Sequence, residues 1–186
     1  MKRNQYTLGK PVSFKGNGLH SGIPVTLTMR PAPAGSGIIF RRIDLTGTPE
    51  VPAKSEFVTN TLRATTLERR DAKVFTVEHI LSALFALRID NCILEMDAPE
   101  PPVADGGALT FSRMILEAGI VELEEPIDIL TLETSVAVYE DDKFITALPY
   151  DGLRITFTSI NPHPLLGTQM KDFTIDKETY IREIAP

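Results

Sequence analysis

Two residue types are nearly missing from this 186-residue chain: it has one cysteine and no tryptophan, and it has only three histidines. A lone Cys92 excludes an intrachain disulfide and any zinc site built from several cysteines, and it suits a reducing compartment. Any metal must then rest on histidine and carboxylate ligands. Positive charge is also short, with 19 Lys and Arg against 25 Asp and Glu and a formal charge of -6. Such a balance offers no general attraction to a nucleic-acid backbone or an anionic membrane, so no nucleic-acid partner is expected and an anionic ligand has to be held locally. Long apolar runs are absent too. Met1-Lys2-Arg3-Asn4-Gln5 leads into no signal-like core, and no stretch approaches the ~20 apolar residues of a membrane-spanning helix. A cytoplasmic protein without a transmembrane segment is expected. What remains is an ordinary globular composition, 42% apolar, long enough for one or two domains.

From Gln5 to Phe75 short apolar segments such as Val25-Thr26-Leu27-Thr28-Met29 and Gly37-Ile38-Ile39-Phe40 alternate with Gly, Pro, Asn and Ser clusters, which predicts antiparallel strands. The run Pro31-Ala32-Pro33-Ala34-Gly35-Ser36-Gly37 reads as a hairpin connection. At Thr76 the period changes. Thr76 is a candidate N-cap, and Val77, Ile80, Leu81 and Leu84 form one face of a helix reaching about Leu87. Its other face, Ser82, Ala83 and Ala86, is small enough to admit a second helix. Ile89-Asp90-Asn91 turns the chain into a strand, Cys92 to Met96, before Pro99, Pro101 and Pro102 interrupt regular structure. Phe111, Met114, Ile115 and Ala118 then mark a second helix ending at Gly119.

These elements define an α+β unit over 1–121, followed by an acidic, proline-terminated linker over 122–127. The remainder, 128–186, is expected to be mainly a β-meander with strands Ile129 to Tyr139, Lys143 to Leu148 and Leu153 to Ser159. Leu153, Ile155 and Phe157 give the last strand an apolar face, yet no amphipathic helix follows to cover it. The second unit is therefore expected to be an incomplete domain.

Chemistry concentrates at Thr76-Val77-Glu78-His79. A helix start offers unpaired N–H groups and the positive end of the helix dipole, which favour an anion. At about 100° per residue, Glu78 lies beside the apolar stripe and His79 projects toward the small-residue face. A neutral imidazole there can bind a metal while the neighbouring carboxylate takes a proton from water. A solvated helix start also explains an adjacent Glu-His pair, and one histidine cannot hold zinc alone. His20, in the glycine-rich turn Gly16-Asn17-Gly18-Leu19-His20-Ser21-Gly22, has both a hairpin role and a site role open to it. His163 between prolines reads as a surface residue, and Asp105 before Gly106-Gly107 as the cap of the second helix. Leu62-Arg63-Ala64-Thr65-Thr66-Leu67 is either a plain strand or a pocket wall. Arg41-Arg42, Arg69-Arg70 and Lys73 read as solvated charge clusters.

Taken together, Gly16 to Gly22, Arg30-Pro31-Ala32-Pro33, Phe40-Arg41-Arg42-Ile43-Asp44-Leu45, Thr76 to His79, Ile89-Asp90-Asn91, Leu166-Gly167-Thr168-Gln169 and Arg182-Glu183-Ile184-Ala185-Pro186 resemble the zinc-dependent UDP-3-O-acyl-N-acetylglucosamine deacetylases of lipid A biosynthesis. Pro101-Pro102-Val103-Ala104-Asp105-Gly106-Gly107 is similar to that family's Asp-Gly-Ser loop, with Gly107 in place of serine and Ala104 in place of methionine. The resemblance implies two sheet-plus-helices domains stacked as a β-α-α-β sandwich, of which this chain carries the first half. It implies that His79 is one Zn2+ ligand and Glu78 the general base in hydrolysis of the N-acetyl amide of UDP-3-O-acyl-N-acetylglucosamine. It also implies that Leu62, Ala64, Thr65 and His20 neighbour the substrate. The family's other ligands, a His-Lys-x-x-Asp motif among them, fall beyond residue 186, so the chain alone is expected to be an inactive fragment. A non-catalytic α+β binding or scaffold module is the competing expectation.

Overall fold

The computed structural model describes residues 2–186. The amino-terminal half supplies β1 (Lys2–Leu8), β2 (Val12–Asn17), β3 (Pro24–Pro31), β4 (Ile38–Arg42) and β5 (Glu50–Pro52). Three short strands, β6 (Val58–Asn60), β7 (Thr66–Arg69) and β8 (Ala72–Phe75), lead into helix α1 (Glu78–Ala86). Then come β9 (Cys92–Met96), helix α2 (Leu109–Ala118) and β10 (Ile120–Asp128). The fold class is mixed α+β, as the sequence suggests.

Alternation decides which face of each strand is buried, because successive side chains leave opposite sides. In β3 it buries Val25, Leu27 and Met29, and in β9 Cys92, Leu94 and Met96. The main sheet has the order β2-β3-β9-β4-β5. Strands β3 and β4 are thus not a hairpin: β9 inserts between them, antiparallel to β3 and parallel to β4. Pro31 to Gly37 is consequently a crossing over the end of β9, and Gly37 N–H bonds to Asn91 Oδ1 at 3.0 Å there. The parallel β4–β9 pair requires a long crossover, and β5 to α1 provide it.

Helix α1 presents Ile80, Ala83 and Leu84 to the core, and α2 presents Phe111, Met114, Ile115 and Ala118. They join Phe40, Val51, Leu67 and Val74 in one buried cluster with the sheet residues. Each fully buried Leu, Ile or Phe in it contributes about 1.5–3 kcal/mol of transfer free energy. Gly119 terminates α2 with φ 77°, where a side chain would be strained. Neither expected cap forms. The N-cap of α1 is Val77 and that of α2 is Ala108, both without a side-chain bond. Thr76 instead turns its hydroxyl to Glu100, and Asp105 Oδ1 accepts from Gly107 N–H at 3.3 Å in a local turn.

The acidic segment expected to be a linker is strand. It lies within β10, which pairs antiparallel with β1 from Lys2↔Asp128 to Leu8↔Ile120. Its partner is more than a hundred residues away in sequence, so no local signal marks it. Asp90 and Asn91 tie this pair to the main sheet: Asp90 accepts from Arg3 Nη1 and Nη2, each at 2.7 Å, and Asn91 Nδ2 donates to Gln5 Oε1 at 2.9 Å.

Beyond β10 the strands are β11 (Val136–Glu140), β12 (Lys143–Ala147), β13 (Arg154–Ile160) and β14 (Thr168–Thr174). They form two separate hairpins, β11-β12 and β13-β14, rather than a continuous meander. Strand β14 occupies a segment too polar to announce itself. After it, Lys177–Thr179 and a π-helical turn over Tyr180–Ile184 return to the first unit. Tyr180 and Ala185 are buried in its core, and the Tyr180 hydroxyl lies 2.8 Å from Ser82 Oγ. This turn is what meets the small-residue face of α1. No helix among the described residues is long and apolar enough to cross a membrane.

Candidate active site

Three segments converge at the start of α1. The first is the helix itself, where Glu78 and His79 occupy the first turn and are half-buried. Strand β8 delivers them through Thr76, a buried residue with φ 58°. A β-branched residue in the left-handed region is rare, and here it forms the junction between β8 and α1. His79 lines a narrow cleft with Thr76, Pro101, Pro102, Val103 and Phe111. Neither nitrogen of its ring takes a hydrogen bond from another described residue, which leaves the imidazole available to a ligand.

The second segment is the loop between β6 and β7. Thr65 N–H donates to Glu78 Oε2 at 3.2 Å, so one carboxylate oxygen is fixed by backbone while Oε1 is left for other work. Leu62, Arg63, Ala64 and Thr66 line a cavity of about 250 Å³ together with Lys73, Phe75 and His20. Three of the four residues expected beside a substrate, Leu62, Ala64 and His20, therefore share one cavity. The fourth, Thr65, sits between them with its N–H on Glu78. Leu62 is 79% exposed and so presents its side chain at the mouth of the cavity. Arg63 and Lys73 add positive charge to the wall of an otherwise acidic molecule. Lys73, expected in a solvated charge cluster, pairs with Glu68 at 3.2 Å and also lines the cavity.

The third segment, Gly16 to Gly22, carries His20. It is fastened to the proline loop by Val103 N–H donating to Asn17 O at 2.8 Å. It is fastened again by Glu100, whose side chain is fully buried and whose oxygens accept from His20 N–H, Ser21 N–H and the Thr76 hydroxyl. Burial alone would raise the Glu100 pKa, but the hydrogen bonds from Thr76, Ser21 and His20 outweigh it and hold the carboxyl below its ordinary value. Sequence reasoning missed Glu100. The one available signal was an acidic residue enclosed by Pro99, Pro101 and Pro102.

His163 lies in an exposed turn, its Nδ1 accepting from Leu165 N–H, and it joins none of this. Asp105 is likewise exposed. The residues present suit one metal ligand and an adjacent base: an unencumbered imidazole with a carboxylate beside it at a helix start. Among the described residues no group of three His, Cys, Asp or Glu side chains comes together, so His79 would act as one member of a larger ligand set.

Comparison with known proteins agrees in extent. The family described as LpxC, UDP-3-O-acyl N-acetylglycosamine deacetylase, matches residues 5–186. A UDP-3-O-acyl-N-acetylglucosamine deacetylase of Myxococcus xanthus is 43% identical over 182 residues, covering 98% of this chain and 58% of that protein. One from Hahella chejuensis is 40% identical over 183 residues, covering 97% and 61%. The bifunctional enzyme LpxC/FabZ of Chlorobaculum tepidum is 42% identical over 186 residues, covering 98% and 40%. The chain thus spans between about two fifths and three fifths of the length of these curated relatives.

Proposed function

Because the chain belongs to the UDP-3-O-acyl N-acetylglycosamine deacetylase family, we propose that it forms part of a cytoplasmic, zinc-dependent amide hydrolase that removes the N-acetyl group of UDP-3-O-acyl-N-acetylglucosamine. The observation that carries this is the bond from Thr65 N–H to Glu78 Oε2, which joins the base to the loop lining the cavity.

His79 would hold the metal together with ligands from outside the described residues. When bound, zinc supplies Lewis acidity toward water and the amide carbonyl. Glu78 is the general base. Thr65 N–H restrains its Oε2, so Oε1 can accept a proton from the attacking water and then return it to the departing amine nitrogen. Acetate and a free amino sugar are the products. The Leu62 to Thr66 wall and His20 hold the substrate beside this pair, and the Arg63 and Lys73 side chains suit the negative charge of a nucleotide sugar.

The test is deacetylation by the complete polypeptide that contains this chain. Glu78→Ala and His79→Ala should each lower kcat at least about 100-fold, the scale of a lost general base. His79→Ala should also lower zinc stoichiometry. Full activity in both variants, or no deacetylation by a zinc-loaded wild type, overturns the assignment.

A further inference from the structure

Glu100 is a fully buried carboxylate outside the catalytic pair. A charge inside a protein is tolerated only where hydrogen bonds replace its hydration, and here every donor comes from one of two segments. His20 N–H reaches both oxygens at 3.1 Å and Ser21 N–H reaches Oε2 at 2.8 Å, from the glycine-rich loop. The Thr76 hydroxyl donates to Oε1 at 2.7 Å, from the residue two before Glu78. The loop is drawn down so closely that a Cβ on Gly18 would fall onto Glu100 Oε2 and Ser21 Oγ. Thr76, buried with φ 58°, holds a conformation that persists only where its surroundings over-determine it. The Thr76 hydroxyl bond to Glu100 is one such constraint.

We infer that Glu100 is a positioning residue for the deacetylase site, its two oxygens joining the His20 loop to the strained Thr76 turn that aims Glu78 and His79. The inference rests on the assignment above. Neighbouring backbone bonds, Phe75 N–H to Pro99 O at 3.1 Å and Val103 N–H to Asn17 O at 2.8 Å, brace the same segments on either side. Loss of the carboxylate should therefore loosen the site without unfolding the chain.

Geometry separates this role from a need for charge. In Glu100→Gln, the amide oxygen can take the Oε2 position and accept from Ser21 and His20, giving up only the second His20 contact at Oε1, while the amide nitrogen donates to a reversed Thr76 hydroxyl. The join survives without a charge. In Glu100→Ala it does not. Steady-state kinetics of the complete polypeptide should show kcat/KM falling about 100-fold in Glu100→Ala, the scale of a misplacement near 1 Å, but less than about fivefold in Glu100→Gln. Adding Thr76→Val to Glu100→Gln should remove the rescue. Thr76→Val alone, which leaves the loop held, should lower kcat about tenfold with KM changed less than twofold.

Equal losses in Glu100→Ala and Glu100→Gln, or wild-type kinetics in Glu100→Ala, overturn the inference. If Glu100→Ala does not fold, the Glu100→Gln and Thr76→Val comparison decides it alone. If wild type deacetylates nothing, the functional assignment fails, and the join is still read by amide exchange: protection at His20 and Ser21 should drop at least tenfold in Glu100→Ala and be kept in Glu100→Gln. Unchanged protection in Glu100→Ala then overturns it.

Discussion

Cys92 shows how strongly position governs a side chain. It begins β9, the central strand of the main sheet, with no exposed surface, and burial pushes its thiol up to about 12. Since the thiolate is the nucleophile, the native protein should leave Cys92 unmodified by DTNB at pH 8 and release one equivalent of thionitrobenzoate in guanidinium. Rapid labelling of the native chain would contradict the packing. Carboxylates shift the other way. Glu100 is held below its ordinary value, so the sign is that of a depressed acid: its contribution to stability is complete above the unfolded pKa near 4.3 and is lost as pH falls through the folded one. Urea midpoints measured from pH 7 to pH 3 should fall below about pH 4.3, and less steeply in Glu100→Gln than in wild type. Parallel curves would remove Glu100 from the acid transition. Asp44, held down mainly by Arg42, contributes to the same limb and remains in both proteins. That Glu78 and His79 stand together on a helix start was legible, because they are adjacent and the helix period is local. Glu100 was not, since two of its three partners are backbone N–H groups some 80 residues earlier, and a backbone donor leaves no mark in a sequence.

Among the elements, helices were legible and strand partnerships were not. Spacing located α1 to within a residue of its end, because 3.6-residue periodicity is local. The insertion of β9 between β3 and β4, the pairing of β10 with β1, and the split into two carboxy-terminal hairpins all depend on contacts distant in sequence. Position in the sheet then sets what each strand is worth. Leu94 sits on β9 with its side chain wholly buried, and Leu94→Ala should lower unfolding free energy by about 2–5 kcal/mol through lost transfer energy and a cavity. Ile145 on β12 is 78% exposed, and Ile145→Ala should change it by no more than about 0.5 kcal/mol. Chemical denaturation of the two variants checks the contrast; equal effects would mean that β12 is packed as firmly as β9.

At the scale of the whole molecule the two ends of the chain share one core and the hairpins between them stay outside it. The first unit closes a core around α1 and α2, and the final turn through Tyr180 and Ala185 adds to it. The hairpins between them bury almost nothing: Phe144 is 68% exposed and Phe157 64%, with Val138, Ile155 and Met170 also in the open. A two-stranded hairpin is marginal in water unless a face is covered, and each of these two leaves large apolar side chains uncovered. The sequence already showed Leu153, Ile155 and Phe157 without a cover. In the chain of residues 1–186 that surface should bind ANS and promote association at unpaired strand edges. Replacing both rings, Phe144→Lys with Phe157→Lys, should lower ANS fluorescence by more than about half and shift elution toward the monomer while leaving the main melting transition in place, because neither ring belongs to the buried cluster. An unchanged ANS signal would mean that the dye reads the first unit instead. A lost transition would mean that the hairpins support the core, which their exposure argues against.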